Sequence, residues 1–318
     1  MFTGLVKKRH RWRRILQVLR FSSDMIVSSK LFHNYCFLLT GFFFGDPHVV
    51  SLDNVKYTFN GLGEFILLNV KDESNTVIFA LQGRTIQAGE NMTSEATNFV
   101  ALAAQGPSGT KVQWNLVGDE INVLLDGMAV NVTENSTYIN QVTLQTTSNN
   151  ETVATFEGGT SVTVSGTKGA LTFTTFLDND LKNKTEGLLG VWNDDATDDF
   201  KAANGTYLNF DGKKLPSDND IFFDFGLTWK TTENNTLFTY NSYPGETWYT
   251  YNNNSFVPKF YDELLNTTDK EKINKANETC KGNDDCIFDI LSTDDFSFGA
   301  ATLQSITSFG SQNSTMSK

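Results

Sequence analysis

Residues 111–125, KVQWNLVGDEINVLL, decide the fold class because apolar residues fall at every second position. In an extended chain Val112 and Trp114 point to one side, and the polar residues between them point to the other. The dipeptide Gly118-Asp119 interrupts this alternation, which then resumes. Two strands joined by a tight hairpin turn produce such a pattern.

Similar runs recur between Val49 and Trp229, for example KYTFN, EFILLNV and TSVTVSG, and Gly, Asn and Asp separate them. Their spacing of about a dozen residues is typical of antiparallel sandwiches rather than of alternating strands and helices. We therefore predict a mainly β protein, in which an antiparallel, β-sandwich-like domain covers residues 44–230.

The pattern changes to that of helices after about residue 257. The tetrapeptide TDKE at 268–271 has the residue types of a capping box and opens the segment KEKINKANETC. Residues 300–308 are compatible with a last helix. We predict that residues 231–318 form a mixed, mostly helical C-terminal extension.

The chain has three cysteines, so disulfides do not dominate its fold. Cys280 and Cys286 are close in sequence, with neither a histidine nor a further cysteine nearby. This spacing disfavours zinc and favours one local disulfide that closes a turn between two helical segments. Cys36 is left without a predicted partner.

Residues 1–43 have no predicted place in the fold. The basic run KKRHRWRR at 7–14 and the apolar run LFHNYCFLLTGFFF at 31–44 imitate parts of a signal sequence or anchor. They are far apart, and the apolar run is shorter than the ~20 residues of a spanning helix. Two interpretations stay open: a targeting segment, or sequence unrelated to the folded domain. We expect the chain to be truncated at both ends.

The formal net charge is −12, although the first thirty residues are basic, so the remainder is strongly acidic. An acidic body repels phosphate backbones and attracts divalent cations, which makes nucleic acid a poor partner. Eleven N-x-S/T triplets point to a glycosylated protein of the secretory pathway. Their asparagines are Asn91, Asn131, Asn135, Asn150, Asn183, Asn204, Asn234, Asn253, Asn266, Asn277 and Asn313.

The tetrapeptide Gly45-Asp46-Pro47-His48 precedes the first predicted strand. An Asp-Pro pair is usually only a turn. The Pro47 nitrogen carries no hydrogen, however, and the Asp46 carboxyl can reach its own carbonyl carbon to close a five-membered ring. His48 could supply or relay the proton at mildly acidic pH. The bond between Asp46 and Pro47 is therefore a candidate for self-cleavage.

The second candidate site is the acidic run GVWNDDATDDF at 190–200. Its carboxylates repel one another unless solvent or a hard cation separates them, and Ca²⁺ accepts six to eight such oxygens. The run is not an EF-hand, because counting from Asn193 places Asp198 where that loop needs Gly and Asn204 where it needs Glu. A solvated acidic turn is the alternative.

Enzyme motifs such as GxSxG, HExxH, a P-loop or a complete GxGxxG are absent from the sequence. We predict that the protein is not an enzyme. A hydrolase that uses paired carboxylates is kept as an alternative, although no pair stands out.

Three segments together resemble the von Willebrand factor type D domain, in the cysteine-poor version found in mucin-4 and sushi domain-containing protein 2. They are FGDPHVVSLDNVKYTFNGLGEFILL at 44–68, TEGLLGVWNDDATDDF at 185–200 and CKGNDDCIFDI at 280–290. The resemblance implies a structural Ca²⁺ site in the acidic loop. The implied ligands are Asp46, Asn193, Asp195, Asp198 and Asp199. Cysteine-rich members read Cys-Gly-Asn where this chain has Leu-Gly-Val at 189–191, so one ligand and one disulfide partner are missing.

The same resemblance implies self-cleavage between Asp46 and Pro47, with the two halves remaining associated. It implies an adhesion or structural module of a larger glycoprotein, located outside the cell or at the plasma-membrane surface. Its partners would be other extracellular or cell-surface proteins, or further modules of the parent chain. Membrane association would come only from flanking regions.

A secreted, calcium-dependent carbohydrate-binding β-sandwich is the main competing interpretation. It needs exposed aromatic platforms, for which Trp248, Tyr249 and Tyr251 are candidates. Ordinary packing of these rings is the simpler alternative.

Overall fold

The structure is a computed structural model, and it describes residues 39–316 except 45–46, 90–93, 168, 242–243 and 253–254. Residues 1–38, and with them Cys36, lie outside the described residues.

Fifteen strands form within the described residues. They are β1 (Leu39–Phe44), β2 (His48–Val50), β3 (Lys56–Thr58), β4 (Gly63–Lys71), β5 (Val77–Gln87), β6 (Thr97–Gln105), β7 (Lys111–Val117), β8 (Glu120–Leu125), β9 (Met128–Val130), β10 (Thr137–Ile139), β11 (Val142–Thr146), β12 (Thr152–Phe156), β13 (Ser161–Thr167), β14 (Ala170–Phe176) and β15 (Thr185–Glu186).

The strands form two antiparallel sheets. The first has the order β10-β11-β12-β13-β14-β1-β2-β3, and the second has the order β15-β4-β5-β6-β7-β8-β9. This confirms the predicted mainly β, antiparallel fold. The predicted hairpin is also present, because Val117 of β7 pairs with Glu120 of β8 across a two-residue turn.

Strand β1 lies within the apolar run that resembled part of an anchor. It is hydrogen-bonded between β14 and β2. The side chain of Phe43 is fully buried and stacks on Phe173, with 4.9 Å between the ring centroids. The sequence left residues 39–43 unassigned, but they belong to the sheet. Their apolar side chains contribute to the core.

The alternation in β7 is present, but both of its faces are buried. Val112 and Trp114 are fully buried in the core between the sheets. Gln113 and Asn115 face the opposite way and are nevertheless only 3% and 7% exposed. The reason is a segment that covers the outer face of the second sheet, residues 231–252, which we call the outer strap.

Side-chain amides of the sheet hold the outer strap by its backbone. The Gln113 Oε1 atom accepts a hydrogen bond from the Thr239 N–H at 2.8 Å. Gln82 donates to the carbonyl of Asn235 at 2.8 Å and accepts from the N–H of Leu237 at 2.7 Å. These bonds satisfy backbone groups that a regular strand would pair with a neighbour.

Four helices follow the outer strap: α1 (Tyr261–Thr267), α2 (Lys270–Cys280), α3 (Asp284–Thr293) and α4 (Phe296–Met316). Short helical turns lie at Asn179–Leu181, Ala196–Asp198, Asp218–Asp220, Ile221–Phe225, Gly226–Trp229 and Trp248–Tyr251. The predicted last helix is longer than residues 300–308. No helix among the described residues is long and apolar enough to cross a membrane.

The predicted cap and disulfide lie at the two ends of α2. Asp269 caps its N-terminus, because its carboxylate accepts the N–H of Glu271 at 3.0 Å. The capping box had indicated Thr268 instead. At the other end Cys280 forms a disulfide with Cys286 of α3, and their Cα atoms are 5.6 Å apart.

Candidate metal centre and cleavage motif

Asp53 lies in the turn after β2, outside the acidic loop in sequence, and binds the backbone of that loop. Its carboxylate accepts the N–H groups of Asn193 and Asp194, both at 3.0 Å, and that of Asp195 at 3.2 Å. A single side chain therefore fixes three consecutive backbone amides of a loop about 140 residues further along the chain. The loop is pre-organised around this carboxylate.

Asp199 provides a second carboxylate and is only 2% exposed. It accepts the Ser51 hydroxyl at 2.5 Å and the Val191 N–H at 3.0 Å. Burial raises the pKa of Asp199 to about 8, and the charge of Asp53 contributes to the rise. Gly190 makes room for it, because a Cβ there would lie 2.1 Å from the Asp199 Oδ1 atom.

Asp198 provides the third carboxylate. Its Oδ2 atom accepts the Asn193 amide at 2.7 Å. Its Oδ1 atom is buried and has no hydrogen-bond partner within the described part of the chain. Partial burial raises the pKa of Asp198, and the charges of Asp195 and Asp53 add to the rise.

One oxygen each of Asp53, Asp198 and Asp199 lie within 4.8 Å of one another. Burial and mutual repulsion raise the pKa of two of these carboxyl groups, and one buried oxygen of Asp198 has no donor within the described residues. Hard cations such as Ca²⁺ bind carboxylate oxygens in this way. The residues present therefore fit a calcium ion, with Asn193 beside the cluster.

The structure brings together some of the expected ligands and not others. Asn193, Asp198 and Asp199 are neighbours. Asp195 instead caps the turn Ala196–Asp198, since its carboxylate accepts the N–H of Thr197 at 3.1 Å. Asp46 lies outside the described residues.

The remainder of the GDPH motif is buried against the helices. The Pro47 carbonyl accepts the Phe59 N–H at 3.0 Å. His48 is 2% exposed, and its Nδ1 atom lies 2.9 Å from the Thr58 hydroxyl. Its Nε2 atom lies 2.8 Å from the Oδ1 atom of Asp289 in α3. The motif is thus tied directly to the helical extension.

Asp289 is fully buried, and its second oxygen accepts the hydroxyl of Thr302 in α4. Burial raises the pKa of Asp289, and the neighbouring His48 opposes the rise. In the same region Ile306 of α4 packs on Phe42 and Val50. The helices are therefore part of the environment of the motif.

Two models of known protein families match this chain. The family model of the von Willebrand factor type D domain matches residues 42–206. The chain belongs to the von Willebrand factor type D domain family. A second model, the mucin-4-like C8-3 domain, matches residues 266–315, which hold the helices α2, α3 and α4.

Relatives of this type D chain are modular proteins. Mouse mucin-4 is 34% identical over 286 residues, which are 86% of this chain and 8% of that protein. Human mucin-4 is 33% identical over 287 residues, 86% of this chain and 5% of that protein. Human sushi domain-containing protein 2 is 28% identical over 268 residues, 81% of this chain and 31% of that protein. The chain thus spans a small part of each relative.

Sequence reasoning missed Asp53 as a member of the type D acidic cluster. The signal was present, because a Leu-Asp pair follows β2 within the first matching segment. Aspartate is common in turns, so the sequence context of Asp53 gives no reason to group it with the acidic run at 190–200.

Of the aromatic candidates for sugar binding, Tyr251 holds the outer strap of this type D chain to its sheet, while Trp248 bonds within the strap. Tyr251 lies over the guanidinium of Arg84 at 3.8 Å, and Trp248 donates to the Thr231 hydroxyl at 3.0 Å. Arg84 in turn is 2.8 Å from the buried carboxylate of Glu64. Of the three rings only Tyr249 is largely exposed. This arrangement favours packing over a carbohydrate platform.

Proposed function

We propose that the chain is a structural and adhesion module of a mucin-4-like extracellular glycoprotein, and that bound calcium fixes its acidic loop to the first sheet. The supporting observation is the convergence of Asp53 with Asp198 and Asp199. These residues come from opposite ends of the type D sequence, so an ion held between them would link the two ends. When bound, Ca²⁺ would neutralise the cluster and supply the missing partner of Asp198.

Adhesion is proposed because the relatives are cell-surface or secreted modular proteins and because this chain carries no enzyme motif. Detached epithelial cells should be retained on a surface coated with the purified chain in calcium. Mild protease treatment of the cells should abolish retention, since the proposed partners are proteins. Specific binding on a glycan array, with retention insensitive to protease, would instead support the carbohydrate-binding alternative.

We also propose self-cleavage at the bond between Asp46 and Pro47. A carboxylate oxygen of Asp46 attacks the carbonyl carbon of the same residue, and the bond to the Pro47 nitrogen breaks. That nitrogen takes a proton, which His48 supplies or relays. One water then opens the cyclic anhydride, which leaves Asp46 with two carboxyl groups and Pro47 with a free amine.

The sheet order supports continued association of the two halves after cleavage. Strand β1 ends the N-terminal half, while both of its neighbours, β14 and β2, belong to the C-terminal half. Incubation between about pH 5 and 6, where a histidine changes charge, should release a new N-terminus at Pro47. The halves should still co-elute in native buffer and separate in denaturant. The Asp46→Ala variant should stay intact, and an intact wild-type chain would refute the proposal.

A further inference from the structure

At one end of the sandwich, the edge strands of both sheets have no further strand beside them within the described part of the chain. Strand β9 is the last strand of the second sheet, and β10 is the first strand of the other. An edge strand presents unpaired N–H and C=O groups that can pair with another chain. Each of these edges also exposes a large side chain, since Met128 is 72% exposed and Tyr138 is 71% exposed.

Three of the eleven sequons lie at this end. Asn131 follows the last residue of β9, and Asn135 lies two residues before β10. Asn150 lies in the turn between β11 and β12. All three asparagines are exposed, so the folded chain can carry glycans at each of them.

A groove of about 850 Å³ runs between the two sheets at the same end, and both Asn131 and Asn150 line it. Its size falls within the range of about 300–1,000 Å³ that is usual for sites holding small molecules. Ile121 and Val130 give it apolar surface, while Glu120 and Asn122 give it polar groups. A sugar ring has both kinds of surface, with C–H groups on its faces and hydroxyls at its rim.

We propose that N-linked glycans on Asn131 and Asn150 occupy this groove and cap the open edges of both sheets, which keeps the module from pairing edge to edge with a second copy. The inference rests on the proposed extracellular location, because N-glycans are added in the secretory pathway. The occupant is fixed by the geometry, since the first sugar of each glycan is attached at the wall of the groove. The glycans here serve the fold itself and not only solubility.

The test uses the full chain secreted from mammalian cells behind an added leader peptide. Site occupancy is measured by mass spectrometry after enzymatic release, with Asn204 and Asn234 as reference sites because both are exposed and neither lines the groove. We expect glycans on Asn131 and Asn150 in most molecules. On the native protein their enzymatic release should be several-fold slower than at the reference sites, and this difference should vanish after denaturation.

A paired set of variants tests the capping role. The double variant Asn131→Gln with Asn150→Gln should form dimers and larger species by light scattering, while Asn204→Gln with Asn234→Gln should remain as the wild type. If the first variant is not secreted, native trimming of the wild-type glycans provides the same comparison on protein that has already folded.

Each outcome separates this proposal from the location on which it rests. Glycans at the reference sites but not at Asn131 and Asn150, equal rates of native release, or an unchanged mass of the double variant would overturn the proposal alone. A secreted chain without glycans at any sequon would also overturn it. Because the added leader imposes secretion, none of these outcomes bears on the proposed location.

Discussion

The substitution Asp199→Asn should stabilise the metal-free protein and remove its response to calcium. In metal-free protein the buried carboxyl has a pKa of about 8 instead of its ordinary 3.8, mainly because of burial. A raised folded-state pKa means that the stabilisation is complete below the ordinary value and is lost as the pH rises toward 8. The metal-free wild type should therefore become less stable between about pH 4 and 8.

The size of this loss follows from the two values. Each tenfold fall in proton concentration across that interval costs ~1.4 kcal/mol, so at pH 7 the loss reaches ~4 kcal/mol. Asparagine cannot ionise, but its NH₂ group replaces one of the two oxygens that accept the Ser51 hydroxyl and the Val191 N–H. An NH₂ group accepts no hydrogen bond, so one bond worth ~1 kcal/mol is lost. In EDTA near neutral pH the variant should be more stable than the wild type by about 2 kcal/mol or more.

Urea denaturation in EDTA at several pH values measures these differences, and repeating it in calcium measures the response to the ion. We expect calcium to stabilise the wild type and to leave the Asp199→Asn variant nearly unchanged. Asp194→Asn is the matched control, because Asp194 is in the same loop but pairs with Lys182 at 2.5 Å; it should keep the calcium response. A variant less stable than the wild type in EDTA at pH 8, with its calcium response intact, would refute the reasoning.

Two further substitutions test how the helices and the outer strap are held. Arg84→Met leaves the carboxylate of Glu64 buried without its cation, and the free energy of unfolding in urea should fall by about 3–5 kcal/mol. The control Lys182→Met removes one partner of an exposed ion pair and should cost much less. Equal losses for the two variants would contradict this expectation. Asp289→Ala should loosen α3 and α4 from His48. The backbone amides of these helices should then exchange hydrogen faster than in the wild type, while those of the second sheet should not. An equal increase in both regions would contradict the contact described.

Period-two alternation predicted the sheets because it reflects which side of a strand is buried, and that is a local property. It could not predict the burial of Gln113 and Asn115, since their cover is the outer strap, more than a hundred residues away in sequence. The apolar stretch before the GDPH motif was left unassigned for a related reason. A buried central strand and a short anchor have the same composition.

The candidate site was likewise predictable only where local sequence carries the signal. The acidic run predicted the region of the cluster, and the calcium binding that the family resemblance implies stays a prediction. Asp53, for which no role was predicted, lies in the cluster, while Asp195 caps a turn, and only the tertiary fold shows which carboxylate faces the cluster. Likewise, the contact of His48 with Asp289 joins residues 241 positions apart, and no sequence pattern indicates it.

Calorimetric titration of the EDTA-treated chain with Ca²⁺ measures whether the cluster of Asp53, Asp198 and Asp199 holds an ion. We expect saturable binding of a single ion, which Asp53→Ala abolishes. The free energy of unfolding should rise by about 2.7 kcal/mol when calcium is a hundredfold above its dissociation constant. Absence of saturable binding at millimolar calcium, or binding that survives Asp53→Ala unchanged, would contradict the proposed calcium site.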